Sequence, residues 1–234
     1  MKRLIGLDLD GTLTQHRSPL DREHKELLDA LGKKYKIIMV AAGNARRVYT
    51  QMEGYPIDII ANYGMQESRM IDGVFTIVRD DKVDTDRDFF FRECDYLRKK
   101  YGYTEYAGDP LEFHESGMIT FPLLGTAAAI EDKIAFDPDR RKRHVLYPEV
   151  LDIFKGYSVF VGGSSSFDFT PGRYNKYDAM EQYGKENGYT VDEMLYVGDD
   201  FGDGGGDSHI RLRGMDYVEI SDYRESPQKL AYLL

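Results

Sequence analysis

Two aspartates separated by one residue come directly after a short apolar run near the start of the chain. Leu4–Leu7 has the length and composition of a strand, and Asp8, Asp10 and Gly11 lie where this strand gives way to a turn. Side chains alternate along a strand, but the chain curls as it leaves one, so both carboxyl groups can face one cleft. One acid can then serve as a nucleophile and the other as a general acid and base. The alternative is that both acids only cap the turn.

A second group of acids follows an apolar run near the end of the sequence. Residues 195–197 are predicted as a strand, and the loop at residues 199–207 alternates aspartates with glycines. Hard oxygen ligands on a flexible loop are suited to Mg²⁺, which keeps several waters and bridges to phosphate. Asp199 is therefore the strongest metal candidate. A solvated acidic loop without a metal is the alternative.

The elements that position these acids follow a βαβ pattern. An amphipathic helix is predicted at residues 20–34 and a fully buried strand at residues 37–42, followed by a helix at 45–52 and a strand at 57–62. The handedness of such units places the second strand beside the first. Doubly wound sheets bind ligands in loops at the carboxyl ends of their strands. We therefore predict an α/β fold with a doubly wound, Rossmann-like parallel sheet.

The simple βα rhythm is lost in the middle of the chain. This region is preceded by two short extended segments, predicted at residues 62–66 and 71–78 around an Asp-Gly hairpin turn, and by a charged linker at residues 79–88. The elements predicted beyond the linker are a helix at 89–101, a strand pair within 112–121, a helix at 137–154 and a hairpin within 159–170. Segregated strands and helices of this kind predict an inserted α+β cap domain at residues 82–170. The core domain would then comprise residues 1–81 and 171–234.

Composition narrows the class of protein. The chain has 234 residues, 41% of them hydrophobic, and a formal net charge of -10, which disfavours nucleic-acid binding and suggests a bound cation. Cys94 is the single cysteine, so no intrachain disulfide or cysteine-based zinc site is expected. No run approaches the length of a membrane span, and no signal peptide is recognisable. We expect a cytoplasmic protein, and the sequence does not predict its oligomeric state.

Residues 8–14 read Asp-Leu-Asp-Gly-Thr-Leu-Thr, and this string resembles the first motif, DxDGT(L/V)T, of the haloacid dehalogenase (HAD) superfamily. The resemblance implies that Asp8 is a nucleophile that forms an aspartyl-phosphate and that Asp10 is the acid and base. It also implies that Mg²⁺ is bound by the Asp8 carboxylate, the Asp10 backbone carbonyl and Asp199.

Segments further along the chain resemble HAD phosphatases with a C2-type cap, and especially the eukaryotic-type phosphomannomutases. They are residues 115–125, 162–171 and 173–176. The resemblance implies that Lys176 neutralises the nucleophile and the transferring phosphoryl group, and that Asp168 binds sugar hydroxyls. Asp207 matches the second metal-site acid of the mutases and Asp203 that of the capped phosphatases. We prefer Asp207 because two glycines precede it at the mutase spacing.

The chain departs from these families at two places. Where HAD proteins usually have a serine or threonine after the second strand, residues 41–44 read Ala-Ala-Gly-Asn. A phosphate contact there must come from backbone N–H groups around Gly43 or from the Asn44 amide, and the alternative is that Asn44 only caps a helix. The cap arginines of the mutases, which hold a distal phosphate, fall on Gly108, Glu115 and Thr126.

A basic cluster at residues 140–143 is the only other candidate in the cap for binding a distal phosphate, and the alternative is a solvated helix face. From the motifs and the missing cap arginines together, we expect a Mg²⁺-dependent phosphohydrolase that acts on a small phosphorylated metabolite. The resemblance to phosphomannomutases implies that this metabolite is a sugar phosphate. A hexose phosphomutase is the first alternative. A catalytically weakened binding or regulatory protein is the second.

Overall fold

The computed structural model describes residues 1–234, which form two compact units. The first unit comprises Met1–Asp81 and Tyr174–Leu234, and the second comprises Lys82–Arg173. The second unit is therefore inserted in sequence between two segments that fold together. None of the helices combines the length and the apolar character that crossing a membrane requires.

Seven strands form the central sheet of the first unit. Numbered along the whole chain, they are β1 (Leu4–Leu7), β2 (Lys36–Val40), β3 (Asp58–Ala61), β4 (Gln66–Ile71), β5 (Val74–Asp80), β10 (Met194–Gly198) and β11 (Tyr217–Glu219). Their order across the sheet is β11-β10-β1-β2-β3-β4-β5. Neighbouring strands from β11 to β3 are parallel, whereas β4 pairs antiparallel with both β3 and β5.

Helices cover both faces of this sheet. They are α1 (Arg22–Gly32), α2 (Ala45–Gln51), α6 (Lys176–Asn187), α7 (Ser208–Leu212) and α8 (Ser226–Lys229). Met39 of β2 joins the buried cluster that includes Leu28 of α1, while its neighbours Ile38 and Val40 join the cluster that includes Met180 of α6. Alternation between two apolar clusters is expected of a strand buried on both faces. The prediction of a doubly wound, mostly parallel α/β sheet is confirmed.

Strand β1 lies between β2 and β10, and all three run in the same direction. Leu7 pairs with Met39 of β2 and with Val197 of β10. The loops that follow these three strands therefore leave the sheet at one edge. They comprise residues 8–14, 41–44 and 199–207. This is the edge at which doubly wound sheets bind their ligands.

The second unit has a four-stranded antiparallel sheet. Its strands are β6 (Glu112–Phe113), β7 (Ile119–Pro122), β8 (Tyr157–Phe160) and β9 (Ser166–Pro171), in the order β6-β7-β9-β8. Its helices are α3 (Arg87–Tyr101), α4 (Ile130–Phe136) and α5 (Arg141–Ile153). Phe90 of α3 packs on Phe154 and Phe169 with ring centroids 4.9 and 5.3 Å away. Buried aromatic pairs of this kind give the unit a hydrophobic core of its own.

Most predicted elements are present with small shifts at their ends, but two segments differ. The pattern predicts an extended segment at residues 62–66, whereas Asn62–Gly64 form a single 3₁₀ turn in which Asn62 and Tyr63 have positive φ. The pattern also predicts one helix at residues 137–154. The structure has α5 there, preceded by the unpredicted helix α4. This helix has only seven residues, too few for a helical period to be recognised in the sequence, and its Ile130 and Ile134 are exposed.

The basic cluster at residues 140–143 contains one deeply buried member. Arg143 is 1% exposed, and its Nε lies 2.9 Å from Oδ2 of Asp137. Its Nη1 donates to the backbone carbonyls of Gly162 and Gly163 at 2.7 and 3.0 Å. Arg141, by contrast, pairs with an acid at the surface and has 87% of its side chain exposed. Arg143 therefore joins the segment before α5 to the loop between β8 and β9.

We predict that Arg143→Met destabilises the protein by about 3–5 kcal/mol, because it leaves the Asp137 carboxylate buried without its counter-charge. Arg141→Met should change the free energy of unfolding by less than about 0.5 kcal/mol, since its pair is exposed. Chemical denaturation followed by circular dichroism measures both values. Similar small losses in the two variants would refute a structural role for the buried pair.

Candidate active site

Four charged side chains meet at the carboxyl edge of the parallel strands. One ligand atom from each of Asp8, Asp199 and Asp207 lies within 4.8 Å of the others. Nζ of Lys176 lies 3.0 Å from Oδ1 of Asp8 and 2.7 Å from Oδ1 of Asp207. Asp8, Asp207 and Lys176 are buried, and Asp199 is half-buried. The structure thus brings together an acid of the first motif, the lysine and two acids of the last loop.

The start of α6 positions the ammonium group of Lys176. The Asn175 side chain caps this helix, accepting a hydrogen bond from the backbone N–H of Asp178 at 2.9 Å and donating to its Oδ2 at 2.8 Å. Burial disfavours the charged form of Lys176, but the nearby Asp207 and Asp8 carboxylates outweigh it and raise the pKa of the lysine above its usual value. Lys176 is therefore a buried cation at neutral pH.

Asp207 is the most completely hydrogen-bonded acid of the cluster. Its Oδ1 accepts from Lys176 at 2.7 Å and from the Tyr196 hydroxyl at 2.6 Å. Its Oδ2 accepts from the backbone N–H groups of Asp199 and Asp200 at 3.2 and 3.0 Å. A carboxylate has about four acceptor positions, and these donors match that number. Asp207 therefore holds the lysine and the start of the acidic loop in place, and its contact with a metal stays a prediction.

Asp199 lies against the loop of the first motif. The Thr12 hydroxyl donates to its Oδ1 at 3.2 Å. Gly11 has a φ of +90°, and a Cβ there would lie 2.4 Å from Oδ2 of Asp199, so this glycine allows the two loops to approach. Asp203, the alternative to Asp207, points elsewhere, because its exposed carboxylate pairs with Arg211 at 3.2 Å.

The cluster carries more negative than positive charge. Burial raises the pKa of Asp8 well above its usual range, the Asp207 and Asp199 carboxylates add to this, and Lys176 opposes it. Burial likewise raises the pKa of Asp199, again with help from Asp207. Three close carboxylates facing one ammonium group are the donor set that a divalent cation with a preference for oxygen neutralises. The residues present therefore fit a metal ion.

Asp10 has separate surroundings, although it is only two residues from Asp8. Its Oδ1 accepts from the backbone N–H of Arg17 and from the Gln51 amide, both at 2.7 Å, and its Oδ2 lies 3.3 Å from Nη1 and Nη2 of Arg47. Burial alone would raise the pKa of Asp10, but these donors hold it below its usual value. In this arrangement Asp10 is a carboxylate, the form that can accept a proton.

The predicted substrate-binding residues occupy different places. Asn44 is the N-cap of α2, with its side-chain oxygen accepting from the backbone N–H of Arg47 at 2.8 Å, and Gly43 lies beside that arginine. Asp168 belongs to the second unit, where it accepts from the Thr120 hydroxyl at 2.8 Å and burial raises its pKa. A substrate contact by Gly43, Asn44 or Asp168 stays a prediction.

Two residues of the site escape sequence reasoning. Tyr196 lies within an apolar strand, where a tyrosine gives no sign that its hydroxyl contacts an acid eleven residues later. Arg47 lies on a helix whose arginines read as solvated surface. Gly43 precedes the N-cap of this helix, so helical spacing gives no signal of its close approach to Arg47.

Known proteins resemble this chain in sequence and in fold. No family model matches the chain. A curated relative, a phosphomannomutase from Encephalitozoon cuniculi, is 24% identical over an alignment that covers 98% of this chain and 94% of the relative. The chain is therefore similar along nearly its whole length to a protein of the group that the sequence motifs resemble.

Solved structures with the same fold are HAD-superfamily phosphatases and hydrolases. An IMP-nucleotidase mutant from Plasmodium falciparum has a TM-score of 0.69 and 16% identity, covering 99% of this chain and 68% of that one. A HAD-superfamily phosphatase from Bacteroides thetaiotaomicron has a TM-score of 0.63 and 14% identity, covering 100% and 95%. A HAD-like hydrolase from B. subtilis has a TM-score of 0.63 and 13% identity, covering 93% and 88%. The chain therefore has the fold of the haloacid dehalogenase superfamily, as its first motif predicts.

Proposed function

We propose that this protein is a phosphohydrolase that releases phosphate from a small phosphorylated metabolite, most simply a sugar phosphate. The observation that carries the proposal is the placement of Lys176 between Asp8 and Asp207, with Asp199 beside them, at the ligand-binding edge of the sheet. A carboxylate nucleophile, a fixed cation and a metal-binding acid are what phosphoryl transfer through an acyl-phosphate needs. The fold shared with HAD phosphatases supports the same activity.

The metal of this proposal is Mg²⁺. The Asp8 carboxylate, the Asp10 backbone carbonyl and Asp199 would hold it, with Asp207 as a further candidate. When bound, the ion supplies positive charge to the phosphoryl oxygens and to the crowded carboxylates. The three acids and their excess charge support a divalent cation, and the preference for Mg²⁺ rests on the phosphate that it would share.

The side chains divide the remaining chemistry. Asp8 attacks phosphorus in line with the ester oxygen and becomes an aspartyl-phosphate, while Lys176 neutralises negative charge on the nucleophile and on the transferring group. Asp10 protonates the leaving oxygen and then takes a proton from the water that hydrolyses the intermediate. The hydrogen-bonded carboxylate seen at Asp10 suits the second of these steps. For the first step, Asp10 must gain a proton against the donors that surround it.

A hexose phosphomutase is the second candidate, supported by the similarity to a phosphomannomutase along nearly the whole chain. A mutase must also hold a second phosphate, and the cap arginines that the mutase resemblance implies for this are missing. Three positions where the mutases have arginine are Gly108, Glu115 and Thr126. Arg143 is buried among its own partners in the second unit. These features favour water as the phosphoryl acceptor.

Replacing the nucleophile should abolish turnover. Asp8→Asn is nearly isosteric but removes the attacking carboxylate, so we expect phosphate release from p-nitrophenyl phosphate or a better substrate to fall at least about a thousandfold, or about 4 kcal/mol. Asp203→Asn on the acidic loop should retain activity because its carboxylate pairs with Arg211 at the surface. Substantial turnover by a folded Asp8→Asn variant would exclude Asp8 as the nucleophile.

Removing one negative charge from the group of Asp8, Asp199 and Asp207 should stabilise the metal-free protein. The folded state raises the pKa of Asp199, so its protonated carboxyl is the form that favours folding. That contribution is present at low pH and is lost as pH rises through the raised value and the group ionises. In EDTA at pH 7, Asp199→Asn should therefore have a higher Tm than the wild type. Mg²⁺ at ten times its Kd should stabilise the wild type by about 1.4 kcal/mol and the variant much less. Equal stabilisation of both proteins by Mg²⁺ would rule out Asp199 as a ligand.

Hydrolysis and mutase activity can be separated by one time course. Each missing charge-assisted phosphate contact costs about 1.5–3 kcal/mol, roughly tenfold in rate per 1.4 kcal/mol. With Mg²⁺, mannose 6-phosphate and a hexose 1,6-bisphosphate, we expect ³¹P NMR to show inorganic phosphate accumulating faster than mannose 1-phosphate. Faster interconversion of the sugar phosphates would instead identify a mutase.

A further inference from the structure

A guanidinium group lies at the loop that lacks a hydroxyl. Arg47 extends from α2 across this loop, with Nη1 and Nη2 each 3.3 Å from Oδ2 of Asp10. Its Nη1 also donates to Oε1 of Gln51 at 2.8 Å. The Arg47 side chain is 34% exposed, so it is held by two partners and still accessible from solvent. It is thus an ordered cation beside the proposed catalytic acids.

Gly43 makes room for this guanidinium. A Cβ at Gly43 would lie 2.0 Å from Nη2 of Arg47 and 2.4 Å from its Nε, far closer than atoms approach without a bond. The backbone itself does not demand glycine, because Gly43 is not among the residues with positive φ. A side chain at Gly43 would therefore have to displace the guanidinium of Arg47 from the place that it occupies in this structure.

The position of the Arg47 guanidinium at the edge of the sheet indicates that it can bind a phosphate group. Residues 41–44 follow β2, and Asp8 and Asp10 follow its parallel neighbour β1, so Arg47 reaches the edge at which the phosphoryl group is proposed to bind. The cation already in the cluster, Lys176, is shared between two carboxylates. A phosphate dianion that enters needs further positive charge, and a planar guanidinium can donate two parallel hydrogen bonds to it.

We infer that Arg47 binds the phosphoryl group of the substrate and supplies the contact that a hydroxyl provides in related folds. Gly43 allows the guanidinium to lie over the loop, and Asp10 and Gln51 hold it there before substrate arrives. This inference rests on the proposed phosphohydrolase function. It assigns a substrate-binding role to a residue outside the motifs that the chain shares with the superfamily.

The test measures phosphate affinity as well as turnover. Calorimetry measures the binding of inorganic phosphate in the presence of Mg²⁺, and a kinetic assay measures kcat/KM with the best phosphate ester found. Both are made on the wild type, Arg47→Gln, Arg47→Lys and Gly43→Ala. We expect Arg47→Gln to weaken phosphate binding and lower kcat/KM by about 10- to 100-fold. Arg47→Lys should lose less because it keeps the charge. Gly43→Ala should approach the loss of Arg47→Gln because its methyl group displaces the guanidinium.

Arg46→Gln is the matched control. Arg46 is the preceding residue of the same helix, is exposed, and lies over the Phe75 ring 5.7 Å from its centroid. Its loss should leave phosphate affinity unchanged.

The stringent variant is Arg47→Gln combined with Ala42→Ser, which returns a hydroxyl to the loop. Partial recovery of phosphate affinity in the double variant would support a binding role, since a merely structural role of Arg47 would not respond to that hydroxyl.

The outcomes separate two kinds of failure. A folded Arg47→Gln variant with wild-type phosphate affinity and kcat/KM would overturn the inference and leave the phosphohydrolase proposal intact. If Arg47→Gln does not fold, wild-type affinity in Gly43→Ala would overturn it in the same way. A wild-type protein that neither binds phosphate with Mg²⁺ nor hydrolyses any phosphate ester would overturn the proposed function, and the role of Arg47 with it.

Discussion

The buried ion pairs of Lys176 are the interaction on which the rest of the site depends. An ammonium group that is 3% exposed stays charged only because two carboxylates lie within 3.0 Å of it. The three charged residues come from different parts of the first unit. Asp8 follows β1, Asp207 lies in the loop after β10, and Lys176 begins α6. The parallel register that places β1 beside β10 is therefore also what allows the charges to meet. Any change that shifts one of these elements leaves a charge buried without its partner.

The same charges support the proposal that the site binds a metal ion and a phosphorylated substrate. Carboxylates that are close together in a buried site resist ionisation, and the raised pKa values of Asp8 and Asp199 express that cost. A divalent cation would remove the cost and turn Asp8 into a usable nucleophile. Asp10 is held as a carboxylate by Gln51 and Arg47, away from this crowding. Two acids two residues apart thus have opposite pKa shifts in the metal-free protein, and a cation bound at Asp8 would lower the pKa of the proposed nucleophile.

The sequence predicts the parts of this account that rest on local pattern. Apolar runs followed by acids predict both groups of site acids, those after β1 and those after β10. They do so because the composition of a buried strand and the chemistry of a turn are local properties. Contacts between distant residues are not predictable in this way: the hydroxyl of Tyr196 and the guanidinium of Arg47 reach the acids only through the fold. Helix α4 has only seven residues, too few for a helical period to be recognised in the sequence. The burial of Arg143 was equally hidden, since a basic run on a helix normally lies in solvent.

The central claim is that Asp8 carries the phosphoryl group during turnover, and chemical trapping tests it most directly. Wild-type protein with Mg²⁺ and its best phosphate ester is quenched during turnover and treated with borohydride, which reduces an acyl-phosphate to an alcohol but leaves a free carboxylate intact. We predict that mass spectrometry of the N-terminal peptide finds homoserine in place of Asp8, in proportion to the fraction of protein that is phosphorylated when it is quenched, and none in the absence of substrate. An unmodified Asp8 in protein that is releasing phosphate, or reduction at another acid, would contradict it.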